Sequence, residues 1–152
     1  MTAAPRRVLL SLLLLLARPA AGADQPSAVV QYRQNVMKSL GSHMRALAAL
    51  SKGEVSFPEQ AGVHAAAVSA LSPLIPLLFP PGTGPDHAKT GARSEAWSDE
   101  KGFKAAAAHL DVEAKKLATL AAGHDRGATR AQLEAVNKAC TACHQSYRLK
   151  DW

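Results

Sequence analysis

Apolar side chains recur along most of this chain in steps of three and four, the spacing of one face of an α-helix. From Ala28 to about Ser51 the stripe runs through Val30, Arg33 or Gln34, Met37, Leu40, Met44 and Leu47, which predicts a first helix stopped at Gly53. Ser56-Phe57-Pro58-Glu59 predicts a second start, with Ser56 as N-cap, Pro58 in the first turn and Glu59 closing a capping box. The stripe His64, Val68, Leu71, Ile75, Leu78 follows. Pro73 and Pro76 interrupt it, so a regular helix is expected only to about Ser72, then a kinked or 3₁₀ turn. Phe79 to Arg93, rich in proline and glycine, reads as one long loop. A third helix is expected from Ser94 or Ser98, with Asp99 and Glu100 at its positive end and a stripe from Phe103 through Leu110 to Ala121, stopped by Gly123. The fourth should run from about Thr129 to Leu149, placing Leu133, Val136, Cys140, Cys143 and Tyr147 on its inward seam. No convincing strand pattern is present. Four amphipathic helices with two short connections and one long loop predict an all-α, antiparallel up-down-up-down four-helix bundle.

The segment before the first stripe has a different character. Arg6 and Arg7 precede an apolar run from Val8 to Ala17, and Ala21-Gly22-Ala23 has the A-x-A form of a cleavage site. About ten apolar residues are half of what a membrane span needs, so residues 1–23 are expected to be a cleaved secretory signal and 24–152 the folded, soluble protein, with no further hydrophobic segment. That leaves enough chain for one core and too little for two ordinary domains. Removing Arg6, Arg7 and Arg18 lowers Lys and Arg from 18 to 15 against 12 acids, a formal charge of +3. So mild an excess, without interleaved aromatic and basic residues, gives no case for nucleic acid. Lys115, Lys116 and Lys150 form at most a face for an acidic partner protein.

Both cysteines lie in Cys140-Thr-Ala-Cys143-His144. An exported chain with one cysteine pair invites a disulfide, but at i and i+3 of a helix the Cβ atoms lie about 5–6 Å apart, beyond the roughly 3.5–4.5 Å a bridge needs. Zinc would need a further ligand cluster, and a thioredoxin-like pair belongs beside a βαβ pattern. C-x-x-C-H is the attachment signature of one covalent haem c: two thioethers, with the adjacent imidazole on the iron. The many alanines of the stripes fill little volume, and a buried haem would supply the missing core.

Further pieces carry a family resemblance: Tyr32-Arg33-Gln34 with Met37-Lys38, Lys52-Gly53-Glu54, Phe79-Pro-Pro-Gly-Thr83, Glu95-x-Trp97-Ser98-Asp99 with Phe103, and Tyr147-Arg148 after the motif. With these the chain resembles the cytochrome c prime family of class II c-type cytochromes, including its low-spin, methionine-ligated cytochrome c-556 kind. The resemblance implies that Cys140 and Cys143 carry the thioethers and that His144 is the proximal iron ligand. It implies that Arg33 and Gln34 lie at the haem edge, with Arg33 pairing a propionate, that Phe79 and Trp97 pack near the haem, and that Arg148 lies beside the proximal imidazole. It implies a periplasmic location and a homodimer through the first two helices, although Pro73 and Pro76 alter that surface.

Met37 decides the chemistry expected. As a distal thioether ligand it would make the protein a one-electron carrier between redox partner proteins; as a mere space-filler it would leave a five-coordinate iron for nitric oxide or carbon monoxide. Met44 reads as core, and His64 is the one histidine on an inward stripe. No nucleophile, acid–base pair or substrate cleft can be argued, so the chain is read as a carrier and not an enzyme.

Overall fold

A computed structural model describes residues 24–150; the expected signal segment lies outside the described residues. The helices are α1 (Pro26–Lys52), α2 (Gln60–Leu71) continued by a 3₁₀ segment (Ser72–Leu78), a one-turn α3 (Glu95–Ser98), α4 (Glu100–Ala122) and α5 (Arg126–Tyr147). The four long helices pack in a ring, α1 on α2, α2 on α4, α4 on α5 and α5 back on α1. Leu47, Val68, Leu117 and Val136 are fully enclosed at its centre. Ala65, Ala107, Ala114, Ala121 and Ala139 are buried with them, and their small side chains let the backbones approach closely.

α1 begins at Pro26, earlier than the expected Ala28, because proline is already preset for a first helical turn whose N–H groups have no partner. It ends at Gly53, whose φ of 75° lets its N–H reach the carbonyls of Ala49 and Leu50. The capping box at Ser56 does not form. α2 starts at Gln60 without a side-chain cap, after a turn in which Gln60 N donates to Phe57 O at 3.0 Å. Phe57 would have been the first helical residue, and a residue preceding proline is pushed out of the helical region.

The break after α2 falls as expected, at Ser72. The stretch Gln60–Leu78 has a mean hydropathy of 1.6, long and apolar enough to pass for a membrane span. The expectation of no further hydrophobic segment overlooked it; here it is one arm of the bundle, packed on α1 and α4.

The expected start at Ser94 is used, and the second falls at Asp99 rather than at Ser98. α3 begins after Ser94, the chain breaks at Asp99, and α4 follows with the Asp99 carboxylate accepting from Gly102 N at 3.1 Å. α5 begins before the expected Thr129 because Asp125 caps it, accepting from Ala128 N at 2.9 Å. It stops at Tyr147, before the expected Leu149, because residues 148–149 turn extended and the chain pairs with the long loop. Ala92 and Arg148 form an antiparallel bridge, Arg93 N donates to Tyr147 O, and Leu149 N donates to Gly91 O, both at 2.9 Å.

Candidate functional site

α1 and α5 close the ring only loosely, and between them opens a cleft of about 740 Å³. Its α1 wall carries Arg33, Gln34, Met37, Met44 and Ala48, and its α5 wall carries Cys140, Cys143, His144 and Tyr147 with the following Arg148. Val68, Ile75, Phe79, Phe103 and Leu110 form an apolar back, and Thr90, Gly91 and Ala92 of the loop lie at the rim.

The heptad-like seam of α5 places both thiols and the imidazole in this one space. Burial pushes the Cys143 thiol up to about 11, with Cys140 adding to the shift, and burial raises the Cys140 thiol as well. Both sulfurs are therefore neutral thiols at pH 7, whereas a metal-binding cysteine is a thiolate. His144 is shifted the other way: partial burial, then the positive charge of Arg148, hold its pKa below the usual histidine value. A neutral imidazole keeps a lone pair free to bind a metal centre.

Six of the seven expected residues around this motif line the cleft: Arg33, Gln34, Met37, Phe79 and Arg148, and His144 within the motif itself. Trp97 does not. It stands one layer behind, packed on Phe79 at 5.5 Å between ring centroids, with its Nε1 donating to Pro80 O at 3.1 Å. His64 also stays out of the cleft, its Nδ1 lying 2.9 Å from that of His43. Met44, expected as plain core, lines the cleft beside Met37. Its seven-residue spacing from Met37, two helical turns, was the available signal.

The expected pairing of Arg33 with a propionate meets a geometric obstacle. Arg33 is 3% exposed, and all four of its terminal N–H groups are donated to the loop and its entrance. Nη1 reaches Leu78 O at 3.1 Å and Thr83 Oγ1 at 3.2 Å, while Nη2 reaches Thr83 O at 3.1 Å and Thr90 Oγ1 at 2.8 Å. Its guanidinium also lies over the rings of Phe79, at 4.5 Å, and Trp97, at 5.4 Å. Nothing terminal remains for a bidentate bond to a propionate, so the side chain is a clamp that fastens the loop to α1. Thr83 and Thr90, 4% and 6% exposed, are the acceptors that sequence reasoning did not single out for this role.

A second clasp holds the other wall. The Asp99 carboxylate that caps α4 also accepts from Tyr147 Oη at 2.8 Å, and the Tyr147 ring packs edge-on against Phe103. The contact is so close that a Cβ built on Gly102 would clash with Asp99 Oδ2 and lie 2.6 Å from Tyr147 Oη. Any larger residue there must push the Asp99 carboxylate and the Tyr147 hydroxyl aside. The turn of α5 that follows His144 is thus fixed by Asp99 from one side and by the strap to residues 91–93 from the other.

The family described as Cytochrome C' matches residues 28–148. The chain belongs to the cytochrome c' family. It is 37% identical over 123 residues to cytochrome c' of Pararhodospirillum photometricum, covering 81% of this chain and 98% of that protein. It is 39% identical over 124 residues to cytochrome c-556 of Agrobacterium tumefaciens strain II Chrys, covering 80% and 97%. The crystal structure of cytochrome c' from Rubrivivax gelatinosus superposes with a TM-score of 0.76 at 31% identity, covering 84% of this chain and 99% of that one. A nitric oxide complex of a cytochrome c prime variant from Alcaligenes xylosoxidans gives the same TM-score at 30% identity over 85% of this chain.

The cofactor of a cytochrome c' is one covalently attached haem c. The cleft meets its requirements: apolar walls, room for a planar macrocycle between α1 and α5, and two thiols and a neutral imidazole on a single helix.

Proposed function

We propose that this member of the cytochrome c' family is a one-electron carrier of the periplasm, with Cys140 and Cys143 holding the haem, His144 as proximal ligand and Met37 as distal ligand. The observation that carries this reading is the position of Met37: its thioether is half-buried on the α1 wall of the same cleft whose α5 wall presents His144. Bound haem supplies Fe(III)/Fe(II) cycling. The chain keeps His144 neutral, excludes bulk water with Val68, Leu110 and Phe79, and holds Met37 on a helix clamped through Arg33 to the loop at the cleft rim. A thioether opposite a histidine raises the reduction potential and closes the site to small ligands. Gln34 and Arg148 are among the polar residues that line the cleft, with Lys38, Arg45 and Asn137.

The second reading is a five-coordinate gas-binding haem, for which Met37 only fills space. The nitric oxide complex of the Alcaligenes xylosoxidans relative favours it. Optical and EPR spectra of the holoprotein separate the two. The carrier shows low-spin ferric signals and a methionine-to-iron charge-transfer band, both lost in Met37→Ala and kept in Met44→Ala. A high-spin ferric signal indifferent to Met37→Ala would refute the carrier reading.

A further inference from the structure

One contact between α1 and α2 stands apart from the haem cleft. His43 and His64, 21 positions apart, turn their Nδ1 atoms toward each other across the helix pair at 2.9 Å, with ring centroids 5.2 Å apart and ring planes tilted by 50°. Both residues are half-buried. Arg33 excepted, the buried residues of α1 and α2 are all apolar, so packing does not call for a polar pair here. Residues 53–59 are the whole connection between the two helices, and side chains carried on packed helices keep their mutual geometry better than side chains on loops.

The separation of the two nitrogens has a chemical meaning. Two imidazole nitrogens held by one divalent metal at about 2.0–2.1 Å lie about 2.8–3.0 Å apart when they subtend a right angle, and about 3.3–3.4 Å apart at the tetrahedral angle. The 2.9 Å bite of His43 and His64 is that of neighbouring positions in a tetragonal shell, the geometry of copper(II) and nickel(II) and not of zinc. Of the two, copper(II) binds such ligands more tightly. We propose that His43 and His64 form a two-imidazole site for one copper(II) ion. Water completes the shell, since no group of three or more His, Cys, Asp or Glu gathers among the described residues. In the metal-free pair one Nδ1–H donates to the other Nδ1. Moving that proton to Nε2 of its own ring, by exchange with water, keeps both rings neutral and frees both Nδ1 lone pairs for the ion. Among the described residues the exposed His87, His109 and His124 are not paired with a second imidazole. This site is independent of how the haem iron is ligated.

The probe is copper(II) sulfate, titrated into untagged ferric holoprotein and followed by calorimetry and EPR. Saturable binding of one copper per haem is expected, with pulsed EPR of the parent showing two imidazoles on the copper and the haem optical spectrum unchanged. His43→Gln and His64→Gln should each weaken binding by at least about tenfold, since even an outer-shell partner of a metal ligand is worth about 10–100-fold. Each should also leave at most one imidazole on any copper still held. Zinc(II) sulfate should bind more weakly than copper. The inference is overturned by absence of saturable copper binding, or by binding undiminished in either variant, which would place the ion on the scattered exposed histidines. It is overturned equally by a parent spectrum with fewer than two imidazoles, a readout that does not depend on how the variants fold, or by zinc binding as tightly as copper.

Discussion

Replacing Arg33 tests whether its role is a clamp or a charge. Arg33→Met keeps the volume and the apolar stem but strands the acceptors that the guanidinium now holds: the carbonyls of Leu78 and Thr83 and the hydroxyls of Thr83 and Thr90. Thr83 Oγ1 retains a bond to Pro80 O at 2.7 Å, and Thr90 Oγ1 retains one from Ala92 N at 3.2 Å, so the two carbonyls suffer most. Each buried acceptor left unpaired costs about 1–3 kcal/mol, and two stacked aromatic contacts to a desolvated cation add about 1–2. Burying the cation costs several kcal/mol that methionine avoids; burial accordingly lowers the Arg33 pKa from its ordinary value. The terms partly cancel and leave a net loss on the order of 2–4 kcal/mol, a large part of the roughly 5–15 that holds an ordinary domain together. Urea unfolding of the ferric holoprotein measures it, and amide exchange across residues 79–93 locates it. Arg33→Lys keeps the charge and loses the four-way fork, so it should behave much more like Arg33→Met than like the parent. Parent-like stability and loop protection in Arg33→Lys would refute the clamp and restore the role of a point charge facing a propionate. Arg33→Met within about 1 kcal/mol of the parent, well below the range for a broken buried network, would refute it as well.

Two further outcomes follow from the clasp on the α5 side. Gly102→Ala should destabilise the protein despite gaining about 1 kcal/mol of helix propensity, because the new methyl must displace Asp99 and Tyr147 at a cost of about 1–3 kcal/mol; thermal unfolding decides, and a raised Tm would contradict the crowding at that position. The hydrogen bond to Asp99, then burial and the Asp99 charge, raise the Tyr147 pKa above its ordinary value. The folded state therefore holds this proton more tightly than the unfolded chain, and the resulting stability is present below about pH 10 and lost as pH climbs through the raised value. Parent and Tyr147→Phe should consequently converge in stability above that range, as read by unfolding at a series of alkaline pH values; a difference that persists unchanged into strong alkali would contradict the assignment.

The bundle was legible from periodicity because its helices are amphipathic and long, and the haem motif was legible because C-x-x-C-H is local. What escaped was set by tertiary contacts. The failure of the Ser56 box came from Pro58 acting on Phe57, a local rule outweighed in the reading by a matching pattern of residue types. The early end of α5 came from residues 91–93, which periodicity within the helix cannot announce. Arg33 was found in the right place with a different set of partners, since nothing in the spacing of Thr83 and Thr90 tells that they converge on one guanidinium. The lowered pKa of His144 depends on its burial and on Arg148, and the exclusion of Trp97 from the cleft on the side of Phe79 against which it packs.

The clamp and the clasp join residues far apart along the chain, 57 positions between Arg33 and Thr90 and 48 between Asp99 and Tyr147. Contacts of such range form late, once the helices between them are already in place. Interactions absent from the folding transition state govern how long the native state survives and leave the speed of its formation almost untouched. Arg33 and Asp99 are then determinants of lifetime: their loss should leave the refolding rate near that of the parent and shorten the residence of the chain in its folded form.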